Sequence, residues 1–197
     1  MTVSGPNRDA VLLSRGRRLE VATLGWNIVG VVVLAIAALG AKSVALGGFG
    51  LDSLIEIGAS TVVLWDLADV NQSRRRGAMR VIGYAFVALA LYLGVQSTIV
   101  LIVEFHPHHS TLGIAWTAVT AGVMFGLAFG KRSTGAALGN PVLEAEGRIT
   151  MIDGILATAV LAGLLLNALA GLWWADPFAG YLLLYYAFRE ARGSLHH

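Results

Sequence analysis

The sequence predicts an all-α, polytopic membrane protein with six transmembrane helices and cytoplasmic N- and C-termini, and three observations predict this class. Of the 197 residues, 56% are hydrophobic and 13% are charged, whereas soluble domains have about 25% charged residues. Apolar stretches long enough to cross a bilayer, whose core takes about 20 helical residues, follow one another along the chain. Basic residues concentrate in the segments that six crossings would place on one side of the membrane.

The predicted helices follow these apolar stretches in order. They are residues 21–40, 45–67, 80–104, 112–130, 147–171 and 174–190. Only a short turn around Trp173 and Pro177 separates the last two, where a tryptophan suits a membrane interface and a proline suits a helix start. We therefore expect a cytoplasmic arm over 1–20, one six-helix transmembrane domain over 21–192, and a short tail over 193–197 that could belong to an expression tag.

The distribution of positive charge predicts the orientation of the helices. Lysine and arginine residues near the ends of spans are retained on the cytoplasmic side of the membrane. With six spans, the two terminal segments and the loops over 71–80 and 131–148 share one side, and they hold all 14 lysine and arginine residues except Lys42. Both termini are therefore expected in the cytoplasm.

Two acidic residues lie inside the second predicted span. Asp52 and Glu56 are four residues apart, so a helix places them on one face, one turn from each other. A charge at the centre of a bilayer costs about 2.5–3.5 kcal/mol on insertion scales, and such residues usually face an interior cavity and mark an ion path. Neighbouring carboxylates repel each other unless they share a proton or bind a cation. The pair therefore predicts a cation site.

The fifth predicted span adds two more acids. Asp153 lies inside it, and Glu146 lies about two turns earlier on a similar face. At a rise of about 1.5 Å per residue, Glu56 and Asp153 reach a similar depth near mid-membrane, so Asp52, Glu56 and Asp153 could converge on one ion. Asp153 alone could instead be a protonated packing group. Glu146 is near the cytoplasmic side and could be a ligand, a gate or a solvated charge.

Other polar residues are weaker candidates. The chain has no cysteine, so any metal must be held by oxygen or imidazole rather than by thiolate. Asn27 in the first span could contact the metal site directly or through water. His106, His108 and His109 lie in one outer loop, which could bind a metal weakly, although a solvated loop is the favoured interpretation.

An internal repeat relates the two acidic segments. Residues 43–56 align without gaps on residues 140–153, which pairs Glu56 with Asp153. The two predicted helices run in opposite directions, as in the inverted repeats that place transporter sites at their interface.

These segments carry a resemblance to a known family. SVALGGFGLDSLIEIGAS resembles the second transmembrane helix of the cation diffusion facilitator family, NPVLEAEGRITMID is similar to the start of its fifth helix, and ADPFAGYLLLYYAFREAR resembles its sixth. The resemblance implies that Asp52, Glu56 and Asp153 occupy metal-ligand positions. It also implies a secondary transporter, not an enzyme, that exports a divalent transition-metal ion from the cytoplasm in exchange for protons.

The resemblance carries further expectations about partners. Zinc is the first choice of transported ion, followed by manganese or iron, and no cofactor is expected besides this ion. The expected partners are the metal ion, protons, the lipid bilayer and a second copy in a homodimer, with no nucleic acid. The expected location is the plasma (inner) membrane of a prokaryote.

The chain also departs from the family pattern. Ile149 stands where the family has a histidine, and Glu56 replaces an aspartate. The loop after the second span has no histidine, and the chain stops before the family's C-terminal cytoplasmic domain. Zinc accepts carboxylate ligands, but an all-oxygen site suits manganese or ferrous iron as well.

Two alternative functions stay open at this stage. The missing histidine is compatible with a metal-sensing or scaffold protein that has the transporter fold but does not transport. An intramembrane aspartyl protease also requires aspartates on two spans, but residues 48–52 contain one residue more than the Gly-x-Gly-Asp motif of such enzymes.

Overall fold

The computed structural model describes residues 6–66 and 72–195, and all the regular secondary structure in these ranges is helical. The helices are α1 Pro6–Ala41, α2 Val44–Asp66, α3 Gln72–Ile102, α4 Thr111–Leu138, α5 Pro141–Ala170 and α6 Ala175–Leu195. The predicted all-α class is therefore confirmed. The expected boundary between arm and membrane domain at residue 20 falls inside α1, and the last two residues of the expected tail lie outside the described ranges.

The surface of the helical bundle is apolar. Within the described residues, the stretches long and apolar enough to cross a membrane are Asp9–Ala41, Gly83–Ile102, Thr111–Leu138 and Leu143–Ala170. α2 and α6 are the shortest helices, with 23 and 21 residues. Each helix turns large hydrophobic side chains outward, and Leu39 and Leu169 are 80% and 83% exposed. Exposed apolar surface of this extent is typical of a protein that contacts lipid.

The α4–α5 connection is much shorter than the sequence predicts. α4 runs to Leu138, and Gly139, in the left-handed conformation with φ of 61°, ends it. α5 begins at Pro141, and the side chain of Asn140 accepts a hydrogen bond from the backbone N–H of Leu143 at 3.0 Å. The expected loop over 131–148 is thus wrong, since almost all of it is helical. Likewise, residues 72–80 of the expected loop over 71–80 belong to α3.

Glycines bring α4 and α5 into close contact. A Cβ atom added to Gly147 would lie 2.8 Å from the backbone nitrogen of Arg132 and 3.1 Å from the carbonyl oxygen of Ala128. One added to Gly135 would lie 2.7 Å from the backbone nitrogen of Glu144. Such approach requires residues without a side chain. It places the buried face of α4 directly against the start of α5.

The remaining helices pack as pairs around a common core. α3 lies along α6 and α1 along α2, while α1 also contacts α4 and α2 contacts α3, α5 and α6. The most buried apolar side chains include Leu46 on α2, Leu93 on α3 and Val160 on α5. α2 therefore lies inside the bundle, where its polar residues meet those of α5 and α6.

Candidate metal centre

The carboxyl groups of α2 point into the bundle, as their spacing predicts. Asp52 and Glu56 are only 2% and 3% exposed. Ser53 and Ser60 lie on the same buried face, and Ser53 donates a hydrogen bond to the carbonyl oxygen of Phe49 at 3.1 Å. The carboxyl group of Asp176 on α6 accepts a hydrogen bond from the backbone N–H of Val44 and so fixes the start of α2. α2 thus presents a polar stripe to the interior.

Asp153 on α5 meets this stripe. Its side chain is buried, and Glu56 is among the groups that interact with its carboxyl group. Asp153 is the strongest charged neighbour of Glu56, and Asp52 is the strongest charged neighbour of Asp153. Asp153 thus faces the same interior region of the bundle as the two acids of α2.

Several oxygens of this cluster have no hydrogen-bond donor. Among the described residues, no partner reaches Oδ1 of Asp52, Oε2 of Glu56, or either carboxyl oxygen of Asp153. Two ionised carboxylates can only accept hydrogen bonds, so contact between Glu56 and Asp153 requires a shared proton or a cation. A buried polar group left unsatisfied costs about 1–3 kcal/mol. The chemistry of this cluster therefore fits a bound cation.

The ligand set is not assembled around one point. Within the described ranges, no group of three or more His, Cys, Asp and Glu side chains is arranged so that it could hold a metal ion. Glu56 and Asp153 are electrostatic neighbours, and the convergence of Asp52 with them on one ion stays a prediction. Ile149, one turn before Asp153, contributes no donor atom at the position where the resemblance expects histidine.

α6 supplies two groups that sequence reasoning missed. Tyr186 is buried, and its hydroxyl has no hydrogen-bond partner among the described residues. Its charged neighbours are Asp153, Asp52, Glu56 and Glu190. In the sequence, this tyrosine stands in an otherwise apolar run and gives no signal that separates it from a packing residue.

Glu190 lies one turn after Tyr186 on the same helix. It is partly exposed, and it is the charged neighbour that acts most strongly on Asp52. A spacing of four residues places both side chains on one face of α6. α6 therefore brings a phenol and a fourth carboxylate to the side of the cluster that α5 does not cover.

Glu146 has a partner of its own. It is 3% exposed, which excludes the solvated alternative, and its Oε1 atom lies 3.2 Å from Nζ of Lys131 on α4. The same Nζ atom lies 3.1 Å from Oε2 of Glu20 on α1 and 3.1 Å from Oγ1 of Thr150 on α5. Lys131 and Glu20 are both fully buried.

The sequence does not predict this ion-pair network, because it places Lys131 in the loop over 131–148 and Glu20 at the end of the N-terminal arm. A charged residue following the apolar run of α4 indicated the end of the helix. The signal that could have identified the network is the presence of two acids, Glu20 and Glu146, at comparable depth on two other helices.

The remaining predicted candidates are Asn27 on α1 and the histidines of the outer loop. Asn27 is buried on α1, but its Nδ2 atom has no partner among the described residues, so its contact with a metal stays a prediction. The neighbouring Trp26 stacks on Trp116, with ring centroids 4.8 Å apart. The three histidines of the outer loop, His106, His108 and His109, are exposed.

A comparison with protein families gives one match. The family model described as the cation efflux transmembrane domain matches residues 77–196 of the 197-residue chain. The matched range contains Asp153, Lys131 and Tyr186, while Asp52 and Glu56 precede it. A comparison with curated proteins gives no match.

Proposed function

Because the chain belongs to the cation efflux family, we propose that it exports a divalent transition-metal ion from the cytoplasm in exchange for protons. The family match supports metal cation efflux across a membrane by an integral membrane protein. Beyond the family match, we propose the identity of the ion, its exchange for protons and the residues that bind it.

The observation that carries the proposal is the burial of Glu56 and Asp153 as interacting acids inside the bundle. These buried carboxyl groups come from two different helices, and several of their oxygens have no donor among the described residues. Neutralising such a pair requires positive charge, supplied by a divalent cation or by protons. The same oxygens can therefore hold the metal in one state and protons in another.

The donor set guides the choice of metal. Asp52, Glu56 and Asp153 offer only oxygen, and the hydroxyl of Tyr186 adds one more oxygen near them. Zinc accepts carboxylate ligands, and manganese and ferrous iron prefer oxygen more strongly. We propose zinc as the first ion, as the resemblance implies, with manganese and iron as the competing choices.

Proton exchange follows from the burial of the acids. When the metal ion leaves, its ligands would be left as uncompensated charges in a low-dielectric interior, which is strongly unfavourable. Uptake of protons from the side to which the metal is released removes this charge. Transport would then depend on the pH difference across the membrane.

The proposal also covers the topology, the oligomeric state and the location of the protein. We propose cytoplasmic termini on the basis of the basic residues at that end, a homodimer as the resemblance implies, and the inner membrane of a prokaryote as the location. The apolar outward faces of the helices provide the surfaces for lipid and for a second copy.

Transport by purified protein in liposomes tests the proposal. We expect zinc flux with the native chain, and flux no greater than that of protein-free liposomes when Asp52 and Asp153 are replaced by alanine. Glu104→Gln serves as the matched control, since Glu104 is an exposed acid outside the bundle interior. Undiminished flux in the double alanine variant would reject the assignment of the site.

A metal-sensing or scaffold role is the second candidate. The observation that favours it is the missing donor at Ile149, together with the absence of an assembled ligand set among the described residues. Such a protein would bind zinc in detergent but would not move it across a liposome membrane. The family match gives no support to the protease alternative, since the family is one of transporters.

A further inference from the structure

Lys131 contacts three side-chain oxygens inside the bundle. An ammonium group has three donors and no acceptor. Its Nζ atom donates hydrogen bonds to Oε1 of Glu146 at 3.2 Å and to Oγ1 of Thr150 at 3.1 Å, and it forms an ion pair with Oε2 of Glu20 at 3.1 Å. The side chain is fully buried and thereby joins α1, α4 and α5.

Stability alone is a poor explanation for this network. Replacing a buried ion pair by apolar residues of similar volume is often neutral or stabilising, because burial removes the hydration of both charges. In membranes, buried ionisable residues most often line the path of an ion or a substrate. The two carboxylates, when ionised, also exceed the single ammonium by one negative charge.

The network lies between the acid cluster and one end of the bundle. Glu146, Thr150 and Asp153 follow one another on the same face of α5, at spacings of four and three residues. α5 begins at Pro141, so Glu146 is nearer than Asp153 to the α4–α5 connection. Lys131 is also a charged neighbour of both Glu56 and Asp153.

We propose that Lys131 is a positioning residue for transport, which holds Glu146 and thereby closes the route from the α4–α5 end to the acid cluster. The proposal rests on the proposed function, since it names the residue that controls access to that site. An arriving divalent cation takes the place of the ammonium at Glu146. The ammonium is not left unpaired when this happens, because Glu20 on α1 still holds it.

Thiol labelling tests the closed route. The chain contains no cysteine, so Ser60→Cys introduces a single reporter thiol. Ser60 is fully buried on α2, one turn beyond Glu56 toward the C-terminal end of the helix. This end lies on the side of the α4–α5 connection, because α2 runs antiparallel to α1, and Gly16 near the start of α1 packs against Leu143 at the start of α5. A charged methanethiosulfonate reagent is added to that side, and the labelling rate is measured in the native, Lys131→Met, Lys131→Arg and Arg132→Met backgrounds.

We expect Lys131→Met to accelerate labelling about tenfold, because one charge-assisted hydrogen bond is strong enough to shift an opening equilibrium by that factor. Lys131→Arg retains the charge and should label slowly. Arg132→Met is the matched control, because it removes an exposed positive charge from the adjacent position. Equal rates in all backgrounds, or equal acceleration by Arg132→Met, would overturn the proposal.

A second variant covers the possibility that Lys131→Met does not fold, since it leaves two carboxylates without their counter-ion. The triple variant Glu20→Gln, Lys131→Met, Glu146→Gln removes all three charges together and leaves no unpaired ion. It should label as fast as Lys131→Met. Slow labelling of the folded triple variant would show that the charges do not close the route.

Zinc transport tests the displacement of the ammonium by the metal. Lys131→Met removes the competitor at Glu146, so the zinc concentration at half-maximal flux should fall, whereas a merely structural role would lower only the maximal rate. An unchanged or raised half-maximal concentration would overturn the displacement step. If the native chain transports no zinc, the proposed function fails for zinc, but the labelling result still decides whether Lys131 closes the route.

Discussion

The side chain of Asp176, at the start of α6, caps the first turn of α2 by accepting a hydrogen bond from the backbone N–H of Val44 at 3.0 Å. The same carboxyl group accepts hydrogen bonds from the hydroxyl of Ser43 and the N–H of Ala45. The first N–H groups of a helix have no partner within it. A carboxylate from a different helix satisfies them here, so the starts of α2 and α6 are fixed to each other.

Loss of this cap should destabilise the protein. Asp176 is 1% exposed, so Asp176→Ala would leave buried N–H groups without an acceptor, at a cost of about 1–2 kcal/mol. We expect a lower thermal unfolding temperature in detergent than for the native chain. Glu104→Ala removes an exposed acid and serves as control, and equal unfolding temperatures for all three proteins would contradict the capping role.

Proton competition at the acid cluster makes a second prediction. The proposed mechanism has metal and protons compete for the oxygens of Glu56 and Asp153, so zinc affinity should fall as the pH is lowered and rise as the pH is raised. Glu56→Gln removes one of the competing groups and should weaken both the affinity and its dependence on pH. Calorimetric titration with zinc at several pH values measures both quantities.

The control for this titration is Glu104→Gln, which should retain the native affinity and the native pH dependence. Zinc affinity that does not change with pH in the native chain would contradict the shared use of these oxygens. Native zinc affinity in Glu56→Gln would contradict only the assignment of Glu56 as a metal ligand.

The contact between α4 and α5 gives a third prediction. A methyl group at Gly147 would lie 2.8 Å from the backbone nitrogen of Arg132, and backbone cannot move aside as a flexible side chain can. Gly147→Ala should therefore destabilise the protein by about 1–3 kcal/mol, the usual cost of overpacking. Thermal unfolding in detergent measures the effect.

Gly122→Ala on α4 is the matched control, because a Cβ atom there meets no other atom within 4 Å. It should be neutral or slightly stabilising, since alanine favours helix more than glycine does. An equal effect of both substitutions would show that helix propensity and not packing decides the outcome.

The sequence predicted the features that depend on local periodicity. The burial of Asp52 and Glu56 on one face follows from their spacing, whereas the pairing of Glu56 with Asp153 in one metal site stays a prediction. It could not predict where α4 ends, because Lys131 is compatible with a membrane helix only when Glu20 and Glu146 meet it across the bundle. Those contacts depend on the packing of α1 and α5, which no local pattern encodes.

Tyr186 on α6 is a second residue whose position near the acids the sequence could not predict. Its neighbour Tyr185 is 64% exposed, whereas Tyr186 is 4% exposed and lies near the carboxylates. The two residues are chemically identical in the sequence. Only the rotation of α6 against α2 and α3 decides which of them faces the acid cluster.

The missing nitrogen donor at Ile149 gives the last prediction. Ile149 lies one turn before Asp153 on α5 and is partly buried, so a histidine there would add an imidazole beside the acid cluster. Zinc favours imidazole, whereas manganese favours oxygen. Ile149→His should therefore raise the affinity for zinc more than the affinity for manganese, as measured by calorimetric titration with each ion. Ile155→His is the control, because Ile155 is 52% exposed on the outer surface of α5 and should leave the ratio of the two affinities unchanged. A native ratio in Ile149→His would mean that position 149 does not face the metal, and the alignment of α5 with the family's fifth helix would then have to be shifted.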